Sequence, residues 1–384
     1  MLETLIKHHY SNMAMIPVNR PLISEEDISA VTEALKSTWI SGDTPPIIAL
    51  ENTLKEILGV SDVVAVSTGT TAIDLSVEAL DIQPGDECVV PTFTIMSSVS
   101  NLLRHGAKLM VVDSDPITWS INAELAAEAI TEKTKLVVPV HIYGLPVDMD
   151  PILDKVAGTQ TFVLEDAAEA LGVDYKGRHC GAIGDAGIFS FYANKIVTGG
   201  EGGAVSTNDP AFAERVRYFR NLCFNPKQRF VHEDLGWNAR LSGLPATLIS
   251  SQLQRLDLLV EKKIAIAHRY LSGLAGHPWL DFHPASTTFS KNTYWVFGVV
   301  LKEDAPFDAE GFQKELRTLG VDTRRFFCPI HLQPLTKKYP ISKFGEMPVA
   351  ENLWNRGIYL PSGLGNTTEE FEAVIEAMWT VVKK

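Results

Sequence analysis

Cysteine is scarce in this chain: the 384 residues hold four, Cys88, Cys180, Cys223 and Cys328, with no CxxC pair and no His/Cys cluster at zinc-ligand spacing. A disulfide-built secreted scaffold and a structural metal site are both excluded, and a reduced, cytoplasmic compartment is expected. Positive charge is also short, with 34 Lys and Arg against 47 Asp and Glu, a formal net charge of -13. The basic field that nucleic-acid binders need is missing, so no nucleic-acid partner is expected and any phosphate must be held locally. No apolar run approaches the roughly 20 residues needed to span a bilayer. The N-terminus, with Lys7, His8 and His9 among mixed residues, lacks a signal-peptide apolar stretch. No membrane partner is expected, and residues 1–15 read as an extension outside the fold. There is no internal repeat and no low-complexity tract.

What is present is a hydrophobic content of 45%, enough for a large core in one large domain plus a smaller one. Ser24 with Asp27 forms a capping-box pattern, and Ile28, Val31 and Leu35 follow at helical spacing, which predicts a first amphipathic helix. Short apolar runs then alternate with helical stretches: Val63–Val66, Cys88–Val90, Leu109–Val112, Leu136–Val140 and Phe162–Leu164. Runs apolar on both faces suit a mostly parallel sheet covered by helices on each side, with ligands beyond the carboxyl ends of its strands. The pattern from Leu248 to Leu274 predicts one long hinge helix. Beyond it, strand-like Tyr294–Leu301 and helices Ala309–Leu319 and Thr368–Val381 predict a smaller α+β layer. The expected division is 16–250 for the large domain and 251–384 for the hinge helix and small C-terminal domain.

Three segments can carry chemistry. Gly187–Gly203 places Lys195 between a strand-like run and a cluster of glycines; no GK[ST] follows, and Gly181, Gly184 and Gly187 have the wrong spacing for a dinucleotide turn. Ser67-Thr-Gly69-Thr70-Thr71 lies between a strand and a helix start, where free N–H groups face an anion. Glu165-Asp166-Ala-Ala-Glu169 ends a strand in carboxylates at the sheet edge that holds the site, and a buried carboxylate there needs a positive partner. Each segment alone is equally a solvated loop lysine, a plain N-cap or a capping acid; their order along one chain is what carries weight.

In that order they resemble the fold-type I sugar aminotransferases of the DegT/DnrJ/StrS family, from about Ile16 to the end of the chain. The resemblance implies pyridoxal 5'-phosphate as cofactor, with pyridoxamine 5'-phosphate as its amine-carrying form. Gly69, Thr70 and, by adjacency, Thr71 would bind the cofactor phosphate together with Ser190. Asp166 would pair with the pyridine nitrogen, and Lys195 would be the Schiff-base lysine within Ser190-Phe-x-x-x-Lys195-x-x-x-x-Gly200-Glu-Gly-Gly203. Asn238, in Gly236-Trp-Asn-Ala-Arg240, is similar to an asparagine that reaches the neighbour's cofactor phosphate, which implies a homodimer with shared active sites. Two positions depart from the family pattern. Glu169 stands where many members have Gln near the cofactor's 3-oxygen, bringing a second acid close to the ring. Ile95 stands where an aromatic commonly stacks on it. Arg325 and His331 are substrate contacts on resemblance only, whereas His141 reads as structural.

Within the family, Asn221-Leu-Cys-Phe, Phe230–Trp237, Pro329-Ile-His331-Leu-Gln-Pro and Tyr359-Leu-Pro-Ser-Gly are most similar to GDP-perosamine synthases. The implied reaction is transfer of an amino group from glutamate to a GDP-linked 4-keto-6-deoxy-mannose. Alternatives are a dTDP- or UDP-linked keto sugar, a related sugar dehydratase, against which Lys195 argues because such enzymes carry histidine there, and a cofactor-binding sensor without turnover.

Overall fold

The computed structural model describes residues 15–225 and 227–383; the expected extension at 1–15 falls outside them except for Met15. Fourteen strands are described. In chain order they are β1 Asp62–Val66, β2 Glu87–Pro91, β3 Lys108–Val112, β4 Thr134–Val137, β5 Phe162–Asp166, β6 Asp174–Tyr175, β7 Arg178–His179, β8 Ala186–Ser190, β9 Gly203–Thr207, β10 Leu280–Phe282, β11 Phe297–Leu301, β12 Arg324–Arg325, β13 Ser342–Lys343 and β14 Gly357–Leu360. Eight of them build one sheet in the order β1-β9-β8-β5-β4-β2-β3-β13, in which only β9 runs antiparallel to its neighbours. The central strands are buried along nearly their whole length because helices cover both faces, as their uninterrupted apolar runs require. A four-stranded antiparallel sheet, β10-β11-β14-β12, forms the smaller layer. The architecture is the expected α/β arrangement with an α+β addition.

The strand order turns the carboxyl ends of β1, β2 and β5 toward one crevice, into which the helix Gly69–Ala79 and the turn after β8 also open. Thr68 caps that helix by accepting from the Thr71 amide at 3.0 Å, which leaves the Gly69 and Thr70 amides pointing out of the helix start. The smaller sheet carries its own apolar cluster, which includes Ile16 and Val321 from opposite ends of the chain, joined by a parallel bridge. Arg20 binds Glu370 through both guanidinium nitrogens at 2.9 Å, so the segment after Ile16 is fastened to the C-terminal layer. No helix among the described residues is long and apolar enough to cross a membrane.

Two local readings are corrected. The long helix expected over 248–274 is two helices, Gly243–Leu253 and Leu256–Gly273. Arg255 between them adopts φ -125 and ψ 22 and sends its guanidinium to Ser24 and to both oxygens of Asp27, at 2.8 and 2.9 Å, so a distant ion pair sets the break. The first helix, Glu25–Ser37, has the expected capping box, yet its buried residues are Asp27 and Ala34 while Ile28 and Leu35 are about half exposed. The Asp27–Arg255 pair draws the polar side inward and leaves the apolar stripe facing out.

Candidate active site

The crevice is a cleft of about 460 Å³. Gly69, Thr70, Ile95, Asp166, Glu169, Ser190 and Lys195 all line it, although they come from four separate segments. At one end the helix start at Gly69 packs against Ser190. The contact is close enough that a Cβ on Gly69 would stand 2.7 Å from the Ser190 Cβ, and one on Gly203 would stand 2.3 Å from the Thr68 carbonyl oxygen. Only glycine at both positions keeps this anion-sized cradle open.

Asp166, at the end of β5, lies on the cleft floor, 3% exposed. Its Oδ2 accepts from the Ser98 hydroxyl at 2.7 Å and its Oδ1 from the Ala168 amide at 3.2 Å; Thr94 Oγ1 stands 3.0 Å from Ser98 Oγ and extends the chain of hydroxyls. Burial raises the Asp166 carboxyl above its ordinary range, and these hydrogen bonds, with Lys195, act against the rise. A cationic N–H arriving from the cleft supplies the counter-charge that this carboxylate lacks.

Lys195 sits in the turn after β8, its amide donating to the Tyr192 carbonyl at 2.9 Å. Thr198 closes the same turn: its amide donates to Gln252 Oε1 at 2.9 Å and its hydroxyl to the Phe191 carbonyl at 3.0 Å. The amine of Lys195 lies 3.8 Å from Glu169 Oε1 and 3.7 Å from the centre of the Trp295 indole. Burial lowers the Lys195 ammonium below its ordinary value, against the pull of Glu169 and Asp166. Burial raises Glu169 to about 7, against the pull of Lys195 and of the Tyr143 amide, which donates to Glu169 Oε2 at 3.0 Å. At 3.8 Å the ionisation of each group depends on that of the other.

Ile95 stands at the mouth, 49% exposed, where it offers apolar cover. Thr71 does not line the cleft; its hydroxyl is engaged by Thr68 at 2.8 Å and Ser67 at 3.2 Å. Asn238 is exposed and outside the cleft of its own subunit, although its neighbour Ala239 accepts from the Ser67 amide at 2.9 Å. Arg325 and His331 are elsewhere. Arg325 stacks on Trp354 at 3.7 Å and donates to the Trp354 carbonyl at 2.9 Å. His331 has one ring nitrogen 2.6 Å from Thr92 Oγ1 and the other 3.1 Å from Glu351 Oε1. Neither lines the cleft.

His141 is fully buried; its Nδ1 accepts from the Val147 amide and its Nε2 meets Glu165, which also takes the amides of Gly181, Ile183 and Gly184. That pair braces the strand end next to Asp166. The residues that sequence reasoning missed are Thr94, Ser98, Tyr143 and Trp295, each brought to the site by packing.

An anion cradle, a carboxylate floor and an amine between them form a donor set that fits pyridoxal phosphate: phosphate at Gly69, Thr70 and Ser190, protonated ring nitrogen at Asp166, carbonyl at Lys195. Among the described residues, no group of three or more His, Cys, Asp and Glu side chains is placed to hold a metal ion.

Comparison with known proteins places this geometry. The sequence model of the DegT/DnrJ/EryC1/StrS aminotransferase family matches residues 21–379. GDP-perosamine synthase of Caulobacter vibrioides is 34% identical over 370 residues, 96% of this chain and 98% of that protein. The crystal structure of the aminotransferase TlmJ from Streptoalloteichus hindustanus superposes with a TM-score of 0.89 at 30% identity, covering 96% of this chain and all of the other. A GDP-4-keto-6-deoxymannose-3-dehydratase shares the fold, with a TM-score of 0.87 at 21% identity over 94% of this chain and all of that one.

Proposed function

The chain belongs to the DegT/DnrJ/EryC1/StrS aminotransferase family, and from that premise we propose that it moves the amino group of glutamate onto the 4-keto carbon of a GDP-linked 6-deoxy sugar, forming GDP-perosamine. It is a pyridoxal-phosphate-dependent sugar aminotransferase. The observation that carries the reading is the placement of Lys195 in one cleft with Asp166, Gly69 and Ser190. Similarity to GDP-perosamine synthase along nearly the whole chain supports the finer choice of sugar.

When bound, pyridoxal phosphate supplies a carbonyl that condenses with amines and a protonated ring that withdraws electrons from the adjacent carbon. Lys195 would hold that carbonyl through its amine, and the same amine, when free, would take the proton from the donor's Cα. Asp166 would keep the ring nitrogen protonated by accepting its hydrogen bond, and the Ser98 hydroxyl, which donates to Asp166, favours its ionised form. The Gly69 and Thr70 amides and the Ser190 hydroxyl fix the phosphate end. Glu169 faces the Lys195 amine at 3.8 Å and, when ionised, favours its charged form, whereas burial of the amine favours the uncharged one. Trp295, Phe327 and Tyr359 wall the cleft against water.

We further propose a homodimer with shared sites, in the cytoplasm. Lys195 is the only Lys or Arg among the residues lining the cleft, whereas a sugar diphosphate and a dicarboxylate both need cations. Beside Asn238, the side chains Phe230, Leu235 and Trp237 are 80%, 90% and 44% exposed, an apolar surface suited to a second copy. The substrate is tested by converting the enzyme with glutamate and then adding GDP-, dTDP- and UDP-linked 4-keto-6-deoxy sugars separately. Recovery of the original spectrum with the GDP sugar alone is expected; recovery with another sugar reassigns the substrate, and loss of a sugar hydroxyl without amination points to dehydration.

A further inference from the structure

Trp295 reaches the Lys195 turn from the segment before β11, 100 residues along the chain, and contacts it twice. Its indole N–H donates to the Asn194 carbonyl at 2.9 Å, fixing the backbone next to the lysine, and its ring face lies 3.7 Å beneath the Lys195 amine. The indole is itself held. It is 4% exposed, the Tyr143 ring stands 6.0 Å from it, and Gly144, at φ +96, lies so close that a Cβ there would be 2.7 Å from the Trp295 amide nitrogen. The same Tyr143–Gly144 turn presents the Tyr143 amide to Glu169. One turn therefore fixes both neighbours of the lysine amine, an acid on one side and an aromatic face on the other.

We propose that Trp295 is the positioning residue of Lys195, its indole face being the seat of the amine whenever that amine is not linked to another group. A free ammonium prefers an indole face to an apolar wall because of the ring quadrupole, and the preference grows where water is excluded. The consequence for amino transfer is that the displaced amine stays within reach of the reacting carbon instead of swinging into the cleft mouth, an effect on geometry more than on substrate affinity. This inference rests on the reading of Lys195 given above.

The test begins with cofactor-free protein. The rate at which acetic anhydride acetylates Lys195, followed by peptide mass spectrometry across pH, gives the ionisation midpoint of the amine. The groups facing it, Glu169, Asp166 and the cleft-lining Glu201, Tyr192 and Tyr359, are unchanged in W295F and W295L. Loss of the aromatic face removes a partner of the ammonium, so W295L is expected to lower the midpoint by about one unit, and W295F, which keeps a weaker face, to lower it less. An unchanged midpoint, or the rise that entry of water alone causes, overturns the proposal. With cofactor bound, W295L is expected to lose about tenfold in kcat with little change in the KM for glutamate; wild-type kcat overturns it as well. Borohydride reduction separates the two levels of the claim. Cofactor fixed to Lys195 in W295L leaves the functional reading intact whatever the midpoint does, while cofactor fixed to another lysine in wild-type protein removes that reading and this inference together.

Discussion

Lys195 Nζ and Glu169 Oε1 stand 3.8 Å apart, both largely withdrawn from solvent, with Glu169 raised to about 7 by burial and Lys195 lowered by the same cause. The pair is too far apart for a full hydrogen bond yet close enough that each ionisation depends on the other.

Glu169→Gln removes the acid and leaves an amide that still accepts from Tyr143. The folded-state value of Glu169 is above its unfolded one, so the stability its protonated form contributes is fully present below about 4.5 and is lost as pH rises through about 7. The substitution should flatten the fall in stability of the cofactor-free protein between those limits. Thermal melts from pH 4 to 8 check this: a wild-type curve and a variant curve of equal slope count against a raised Glu169.

Ser98→Ala removes the hydroxyl that donates to Asp166 at 2.7 Å, while Ser98→Thr keeps one. With its main stabilising hydrogen bond gone, the Asp166 carboxyl rises further and holds a protonated ring nitrogen less well. About tenfold weaker cofactor binding is expected for the alanine variant, which is about 1.4 kcal/mol, close to the lower end for a hydrogen bond to a charged group. The threonine variant should bind as wild type does, as measured by equilibrium titration.

Lys263 is fully enclosed, donates to the Ser362 carbonyl, and is lowered to about 7 by burial alone. The folded protein therefore binds fewer protons than the unfolded chain between about 7 and 10.4, so this lysine opposes folding below that window and the penalty fades as pH rises through it. Lys263→Met should raise the melting temperature at pH 7 and change it little near pH 10. A lower melting temperature at pH 7 would show that the bond to Ser362 outweighs the burial of charge.

If Asn238 completes the neighbour's site, mixing two inactive variants should restore activity. Lys195→Ala and Asn238→Asp homodimers, unfolded together and refolded, are expected to regain up to about a quarter of wild-type activity, because half of the dimers are hybrids with one intact site each. No recovery, with hybrid dimers demonstrated by mass, contradicts sharing.

The chemistry of the site was legible in the sequence wherever it is written in short segments. Ser190, Lys195 and the following glycines lie on one turn, Asp166 ends a strand, and Gly69 begins a helix, so each short segment carries a recognisable pattern, and the resemblance to the family, not spacing alone, assigns their roles. Trp295 and Ser98 were not legible, because they meet Lys195 and Asp166 across 100 and 68 residues and nothing local marks them. The same cause explains the errors in the fold. Arg255 breaks the expected long helix because it is bound to Asp27, 228 residues away, and that pair also turns Ile28 and Leu35 outward. Strand alternation and capping are local and were read correctly; the face a helix buries is decided by its partners.

The most direct measurement is borohydride reduction of the pyridoxal-phosphate-loaded protein followed by peptide mapping. The account predicts one modified residue, Lys195, and loss of both the modification and the glutamate-dependent spectral change in Lys195→Ala. Modification of a different lysine, or a Lys195→Ala protein that still responds to glutamate, would contradict it.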